Sequence, residues 1–166
     1  MKTLILVRHA KSSWNHPGLA DFDRPLNQRG ERDAPGIGVR LAVAIETLDA
    51  IVASPALRAR QTALTLAGGI GFPEAEIRFE GGLYGASAAE MTASVRCFDN
   101  DAQIVAMVGH NPGMTDLANR FTGRYIDNIP TAGVVVIAFD IDAWNECIDR
   151  GGSLVSYDYP KKHRHE

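Results

Sequence analysis

The sequence predicts an α/β fold: a three-layer α/β/α sandwich whose largely parallel sheet carries helices on both faces. Three observations predict it. Thr3–Val7 and Ile104–Val108 are continuous β-branched and aliphatic runs, as expected of strands covered on both sides. Helical patterns alternate with the strand candidates, the order that favours parallel pairing. Helix-start signals also follow directly on strands, with Ser54-Pro55 after Ile51–Ala53 and Asn111-Pro112 after Ile104–Val108.

The elements follow in chain order. After the first strand and a polar loop, Ile37, Leu41, Ile45 and Leu48 recur at helical spacing, with Pro35 marking the start of that helix or a bend in it. Ser54 as N-cap and Pro55 as first residue open a second helix, running to Leu66 or Ala67 and stopped by Gly68-Gly69. Ile77–Glu80 reads as a short strand and Ala88–Phe98 as a helix. Another helix runs from Pro112 to about Phe121. Val134–Ile141 and Leu154–Tyr157 read as strands, joined by a weakly helical Asp142–Asp149. The tail from Lys161 is polar and expected to fray.

Composition bounds the function. The chain has 166 residues, 45% hydrophobic and 22% charged, which suits one globular domain with a core that needs no disulfide or structural metal. A net charge of −3 gives no reason to expect a nucleic-acid or membrane surface. Cys97 and Cys147 match no metal-ligand spacing and read as core residues in a reducing compartment. The run Leu4–Val7 is cut by Arg8 and is too short for a signal-peptide core, so a cytoplasmic location is expected.

Right-handed crossovers place the strand-to-helix loops on one edge of the sheet, where ligands bind in open α/β folds. The residues leaving the three central strands are Arg8-His9, Ser54-Pro55 leading to Arg58, and Gly109-His110-Asn111. Arginines present fixed forks of donors that match phosphate oxygens. Helix N-termini add positive potential to the same crevice. A neutral imidazole there can attack phosphorus, giving a phosphohistidine that water breaks down. No metal or other cofactor is required if the arginines and the second histidine supply the charge.

Three motifs now carry a family resemblance. LVRHAKSSWN at Leu6–Asn15 resembles the RHG signature of the histidine phosphatase, or phosphoglycerate mutase-like, superfamily. ASPALRARQTA at Ala53–Ala63 is similar to its second motif, and VGHNPGM at Val108–Met114 to its third. RHAKSSW, DFDRPLNQRG at Asp21–Gly30 and the short length resemble the SixA-type phosphohistidine phosphatases. The resemblance implies His9 as nucleophile, Arg8, Arg58 and His110 as the phosphate pocket, and Asn15 as a further phosphate contact. It also implies a phosphorylated protein as substrate, such as a histidine-containing phosphotransfer domain. Arg60, two residues on from Arg58, faces another side of the helix.

Two departures from the family pattern stand out. Ala10 replaces the glycine of the RHG signature, a small change in size. The family's acid is expected just before Leu83-Tyr84-Gly85, where this chain has Gly81 and Gly82, with Glu80 close by. Phosphate monoesters leave as alkoxides and need a proton donor, whereas phosphohistidine leaves as an imidazole that can already carry its proton. Glu80, an Asp from Asp21–Asp23, or His110 remain alternative donors. Gly68 to Leu83 is too short to form a cap, so an open crevice is expected.

The residues therefore predict a phosphohistidine phosphatase. A general phosphomonoesterase and a non-catalytic phosphoprotein-binding module stand as alternatives. Asp21, Asp23 and Arg24 read as a surface turn with a weak ion pair. Trp14 and Tyr84 read as packing residues, and Asn15 equally as a turn residue before Pro17. His163 and His165 read as bystanders in the tail.

Overall fold

A computed structural model describes residues 1–164. Six strands form one sheet in the order β3-β2-β4-β1-β5-β6: β1 (Lys2–Arg8), β2 (Ala50–Ala53), β3 (Arg78–Phe79), β4 (Ile104–Gly109), β5 (Val134–Phe139) and β6 (Gly152–Asp158). The first four run parallel, and β5 and β6 are antiparallel additions beside β1. Four helices complete the layers: α1 (Gln28–Ala44), α2 (Leu57–Ile70), α3 (Ala88–Arg96) and α4 (Gly113–Thr122).

Strand alternation divides the core in two. Leu4, Leu6, Val105 and Met107 face Met91 and Val95 of α3 and Leu117 and Phe121 of α4. Ile5, Val7, Ala106 and Val108 face Ile37 and Leu41 of α1 and Ala63 and Leu66 of α2. Both faces of β1 and β4 are thus dry, which is why their sequences read as unbroken apolar runs.

Several boundaries differ from the sequence reading. Helix α1 starts at Gln28, capped by the Asn27 side chain, which accepts from Gly30 N–H at 2.9 Å. Pro35 lies inside the helix, where it removes one backbone bond without ending it. Ile45 and Leu48 fall beyond the helix end and still pack on the core from the loop.

Helix α2 passes through Gly68-Gly69 and stops at Gly71, which takes the left-handed conformation at φ 77°. Gly69 instead allows a close helix crossing. A Cβ on Gly38 of α1 would lie 2.8 Å from the Gly69 Cα, so backbone meets backbone there. The Asp142–Asp149 connection contains one 3₁₀ turn, Trp144–Glu146. Cys147 is buried, whereas Cys97 is exposed. Among the described residues no helix is long and apolar enough to cross a membrane.

Candidate active site

The pocket is assembled where β1, β2 and β4 end. His9 N–H donates to the Gly109 carbonyl at 3.0 Å, extending the β1–β4 ladder by one residue. The ladder therefore delivers His9 and His110 side by side, with ring centroids 5.1 Å apart. The loop is clamped from α2: Ala10 N–H donates to Thr62 Oγ1 at 3.0 Å, and that hydroxyl donates to the Arg58 carbonyl at 2.8 Å. A buried Ala10 fits beneath the clamp.

The two imidazoles are held differently. His9 Nδ1 lies 2.7 Å from the Ala10 carbonyl, which can only accept. The proton therefore sits on Nδ1, and Nε2 keeps its lone pair. His110 Nε2 pairs with Ser54 Oγ at 2.8 Å. The same hydroxyl accepts from Ala56 N–H at 3.3 Å, so Ser54 serves both the turn before the helix and His110, but it is not the N-cap that its sequence position predicts. The helix begins at Leu57 with no side-chain cap, while Ser54 N–H stays on the β4 ladder through the Val108 carbonyl. At the other predicted start the helix begins at Gly113 with Pro112 in the cap position, and Asn111, one residue before it, still accepts from Thr115 N–H and Oγ1 through Oδ1.

Arg58 lies in the first turns of α2 and is buried. Arg8 donates through Nη1 to the Ile129 carbonyl at 2.7 Å, which ties the pocket floor to the segment after α4. Arg8 Nε, Arg58 Nε and His110 Nδ1 are all buried without a hydrogen-bond partner. These three buried nitrogens on neighbouring pocket residues are groups that a bound oxyanion could satisfy.

Burial, then repulsion from His110, Arg58 and Arg8, hold the His9 imidazolium down to about 3, against the opposing pull of the Ala10 carbonyl. Burial and the Arg58 charge bring His110 down to about 4, with Asp21 acting in the opposite sense. Both rings are neutral at neutral pH, and His9 presents an unprotonated Nε2 to a cationic pocket. That arrangement suits in-line attack on phosphorus.

The rim differs from the sequence reading. Asp21, read as part of a surface turn, touches the pocket: its carbonyl accepts from Arg58 Nη1 at 2.6 Å and its Oδ2 from Nη2 at 3.0 Å. The same Oδ2 accepts from the Tyr84 hydroxyl, and Oδ1 accepts from Arg24 Nε at 3.1 Å. Arg24 is itself buried and also binds Ser12 and Ser13.

Tyr84 is a rim residue, its ring edge-on to His110 at 5.6 Å. Trp14 packs as read, stacking on the Arg24 guanidinium at 3.5 Å, but it does so at the surface, 72% exposed. DFDRPL carried the signal for this rim, but short-range propensity describes such a string only as a turn.

Other candidates lie elsewhere. Asn15 is exposed, its backbone N–H donates to Ser13 Oγ, and its cleft is lined by Asn27, Gln28, Arg29 and Arg32. The structure therefore does not gather Asn15 with the other four. Arg60 stacks on Phe79 at 4.3 Å. Glu80 is occupied by Arg78 and Ser94. His163 bonds Asp158, and His165 lies outside the described residues. Among the described residues, no group of three or more His, Cys, Asp and Glu side chains is placed to hold a metal ion.

The sequence profile of the histidine phosphatase superfamily, branch 1, matches residues 4–93, from β1 into α3. The chain belongs to this superfamily. The match includes Arg8, His9 and Arg58, and His110 follows beyond it. An uncharacterised protein of Mycobacterium tuberculosis is 30% identical over 165 residues, covering 93% of this chain and all (100%) of that one.

Among solved structures, one named for the phosphohistidine phosphatase SixA, from Nakamurella multipartitia, superposes with a TM-score of 0.82 at 26% identity, covering 96% of both chains. The protein histidine phosphatase SixA complexed with tungstate gives a TM-score of 0.83 at 17% identity, covering 98% of this chain and 99% of that one. The mostly parallel six-stranded sheet with four helices is the phosphoglycerate mutase-like fold.

Proposed function

We propose that this superfamily member is a phosphohistidine phosphatase that removes phosphate from a phosphorylated protein through a covalent phospho-His9 intermediate. One observation carries the reading. An unprotonated His9 Nε2 sits beside half-buried Arg8 and buried Arg58, and the carboxylate that contacts this cluster is ionised rather than a proton donor. Hydrogen bonds from Tyr84 and then Arg58 hold Asp21 down to about 2, so it is ionised at neutral pH. An ester's alkoxide would find no proton there, whereas a phosphoimidazole that binds already protonated on its far nitrogen leaves as neutral imidazole.

The steps follow from the groups in place. Arg8, Arg58 and His110 bind the three non-bridging oxygens, and His9 attacks in line. The Nδ1–H bond to Ala10 fixes the ring while positive charge develops on it. Water then hydrolyses phospho-His9. Likeness to the SixA structures supports the choice of phosphohistidine.

Access supports a protein substrate. The α2–α3 connection holds a two-residue strand and two single turns, which leaves the mouth open to a side chain presented by another protein. A histidine-containing phosphotransfer domain is the partner class we propose, with the chain acting as one domain without a cap.

The test compares a phosphohistidine peptide with a panel of phosphate monoesters at neutral pH. Phosphohistidine should be the preferred substrate, and His9→Ala should lower its turnover by about 10³-fold or more. A preference for monoesters would overturn the substrate, and activity retained by His9→Ala would overturn the nucleophile.

A further inference from the structure

We propose that Asp21 is a specificity-determining residue whose carboxylate accepts the ring N–H of the substrate's phosphoimidazole while the N–P bond breaks. The inference rests on the phosphohistidine reading above and adds the feature by which the site selects a nitrogen-linked phosphoryl group over an ester.

The geometry places an anion at the mouth of a cationic pocket. Asp21 Oδ2 is 3.0 Å from Arg58 Nη2, so it lies one hydrogen bond from a buried guanidinium of the pocket. Tyr84 donates to the same oxygen and packs edge-on against His110, which ties the carboxylate to the second pocket histidine. Arg24, locked by Ser12 and Ser13, holds Oδ1. A carboxylate offers about four acceptor positions. Arg58, Tyr84 and Arg24 take three, and the side chain is still 49% exposed at the rim. One acceptor position therefore remains for a donor that arrives with the substrate.

Charge decides which donor fits. A phosphate monoester brings an oxygen that becomes negative as its bond breaks, and a fixed carboxylate beside it opposes that development. A protonated phosphoimidazole brings a cationic ring whose far nitrogen is an N–H donor. Its charge and its hydrogen bond both favour Asp21.

The transfer balances without an outside acid. His9 Nε2 gives its lone pair to phosphorus, and the N–P electron pair returns to the substrate ring nitrogen. The substrate ring entered protonated and leaves as neutral imidazole, keeping its proton on the far nitrogen against Asp21. The His9 ring, still donating Nδ1–H to Ala10, takes up the positive charge. When water attacks phospho-His9, the electron pair returns to Nε2 and the two water protons leave on phosphate as H₂PO₄⁻.

The variant Asp21→Asn keeps the side chain's shape and removes its charge. The measurement is kcat/KM for a phosphohistidine peptide and for p-nitrophenyl phosphate across pH, in wild type and variant. The ratio of phosphohistidine to ester activity should fall about tenfold or more. The alkaline limb of the phosphohistidine profile should move to lower pH, because the carboxylate no longer favours the protonated ring. A parallel loss on both substrates, or an unchanged ratio, would show that Asp21 merely orients Arg58 and would overturn this assignment alone. A wild-type protein that prefers esters would overturn the phosphohistidine reading, and the role of Asp21 with it.

Discussion

Two clusters of arginine and aspartate in this protein are built in opposite senses. At the pocket, Arg58 is buried, with 7% of its side chain exposed, while its partner Asp21 is 49% exposed. At the far cluster, Asp33 of α1 is buried at 6%, while Arg29, Arg32 and Arg164 are 40%, 65% and 27% exposed. The ingredients are the same and the charges are exchanged.

Burying cations and leaving their anion at the surface creates a site that still attracts oxyanions from solution. Burying an anion beneath three arginines directs the attraction inward, although Asp33 Oδ2 and Arg29 Nε themselves make no hydrogen bond. The Asp33 cluster thus works as a clasp, joining Arg164 near the chain's end to α1. The histidines follow the same division: both pocket rings are buried and neutral, and the clasp contains none.

Each difference can be broken separately. Arg58→Ala should reduce kcat/KM by about 10²–10³-fold, the usual cost of removing a preorganised donor to a developing charge. Its melting temperature should change little, because Asp21 is solvated at the rim. Steady-state kinetics beside a thermal melt tests both halves, and a folded variant with near wild-type activity would show that Arg58 does not bind the reacting group.

The neutral histidines predict a pH dependence. His9 and His110 titrate near 3 and 4 in the folded protein, and at the ordinary value of 6.5 when unfolded. Below 6.5 the unfolded chain takes up protons that the native state refuses, so stability falls as pH drops toward 4. Between pH 6.5 and 5.5 the loss from the two rings together is on the order of 2 kcal/mol. Urea unfolding at the two pH values measures it, and His110→Gln should reduce the slope.

The clasp should show the smallest effect. Its arginines can return to water when the charge is removed, so Asp33→Asn should cost about 1 kcal/mol, or roughly 2–4 °C in a thermal melt. Its kcat/KM should match wild type. A loss of activity there would show that the clasp is coupled to the pocket, and the contrast drawn between the two clusters would fail.

How much of the site was legible depended on the distance over which each cause acts. Arg8, His9, Arg58 and His110 were readable as a group because the strand-to-helix loops they follow are declared by their own neighbours, and the family motifs in those loops imply their roles. Asn111 was readable as a helix-start residue because Thr115, whose N–H it accepts, lies within one turn. Ser54 looked like an equally good cap, and only the arrival of His110 from β4 showed where its hydroxyl goes. Asp21 and Tyr84 are 63 residues apart, and no local pattern announces that they share a hydrogen bond.

The α1 boundary shows the same limit. Pro35 argued for a start or a bend, yet the helix is nucleated earlier by Asn27 and pinned where Gly30 lies against the Lys11 backbone. Gly68-Gly69 looked like a stop, but glycine also permits close approach, and α1 crossing at Gly38 selects that use.

The amino-acid order by itself determined the layers and the strand edge where the candidate residues gather, because hydrophobic periodicity and strand-to-helix punctuation are encoded within a few positions of one another. Only the tertiary structure decided the tautomer of His9, the partner of Ser54 and the carboxylate at the rim. Those depend on hydrogen bonds and charges that meet across the fold, and such energies exist only once the distant segments are in contact.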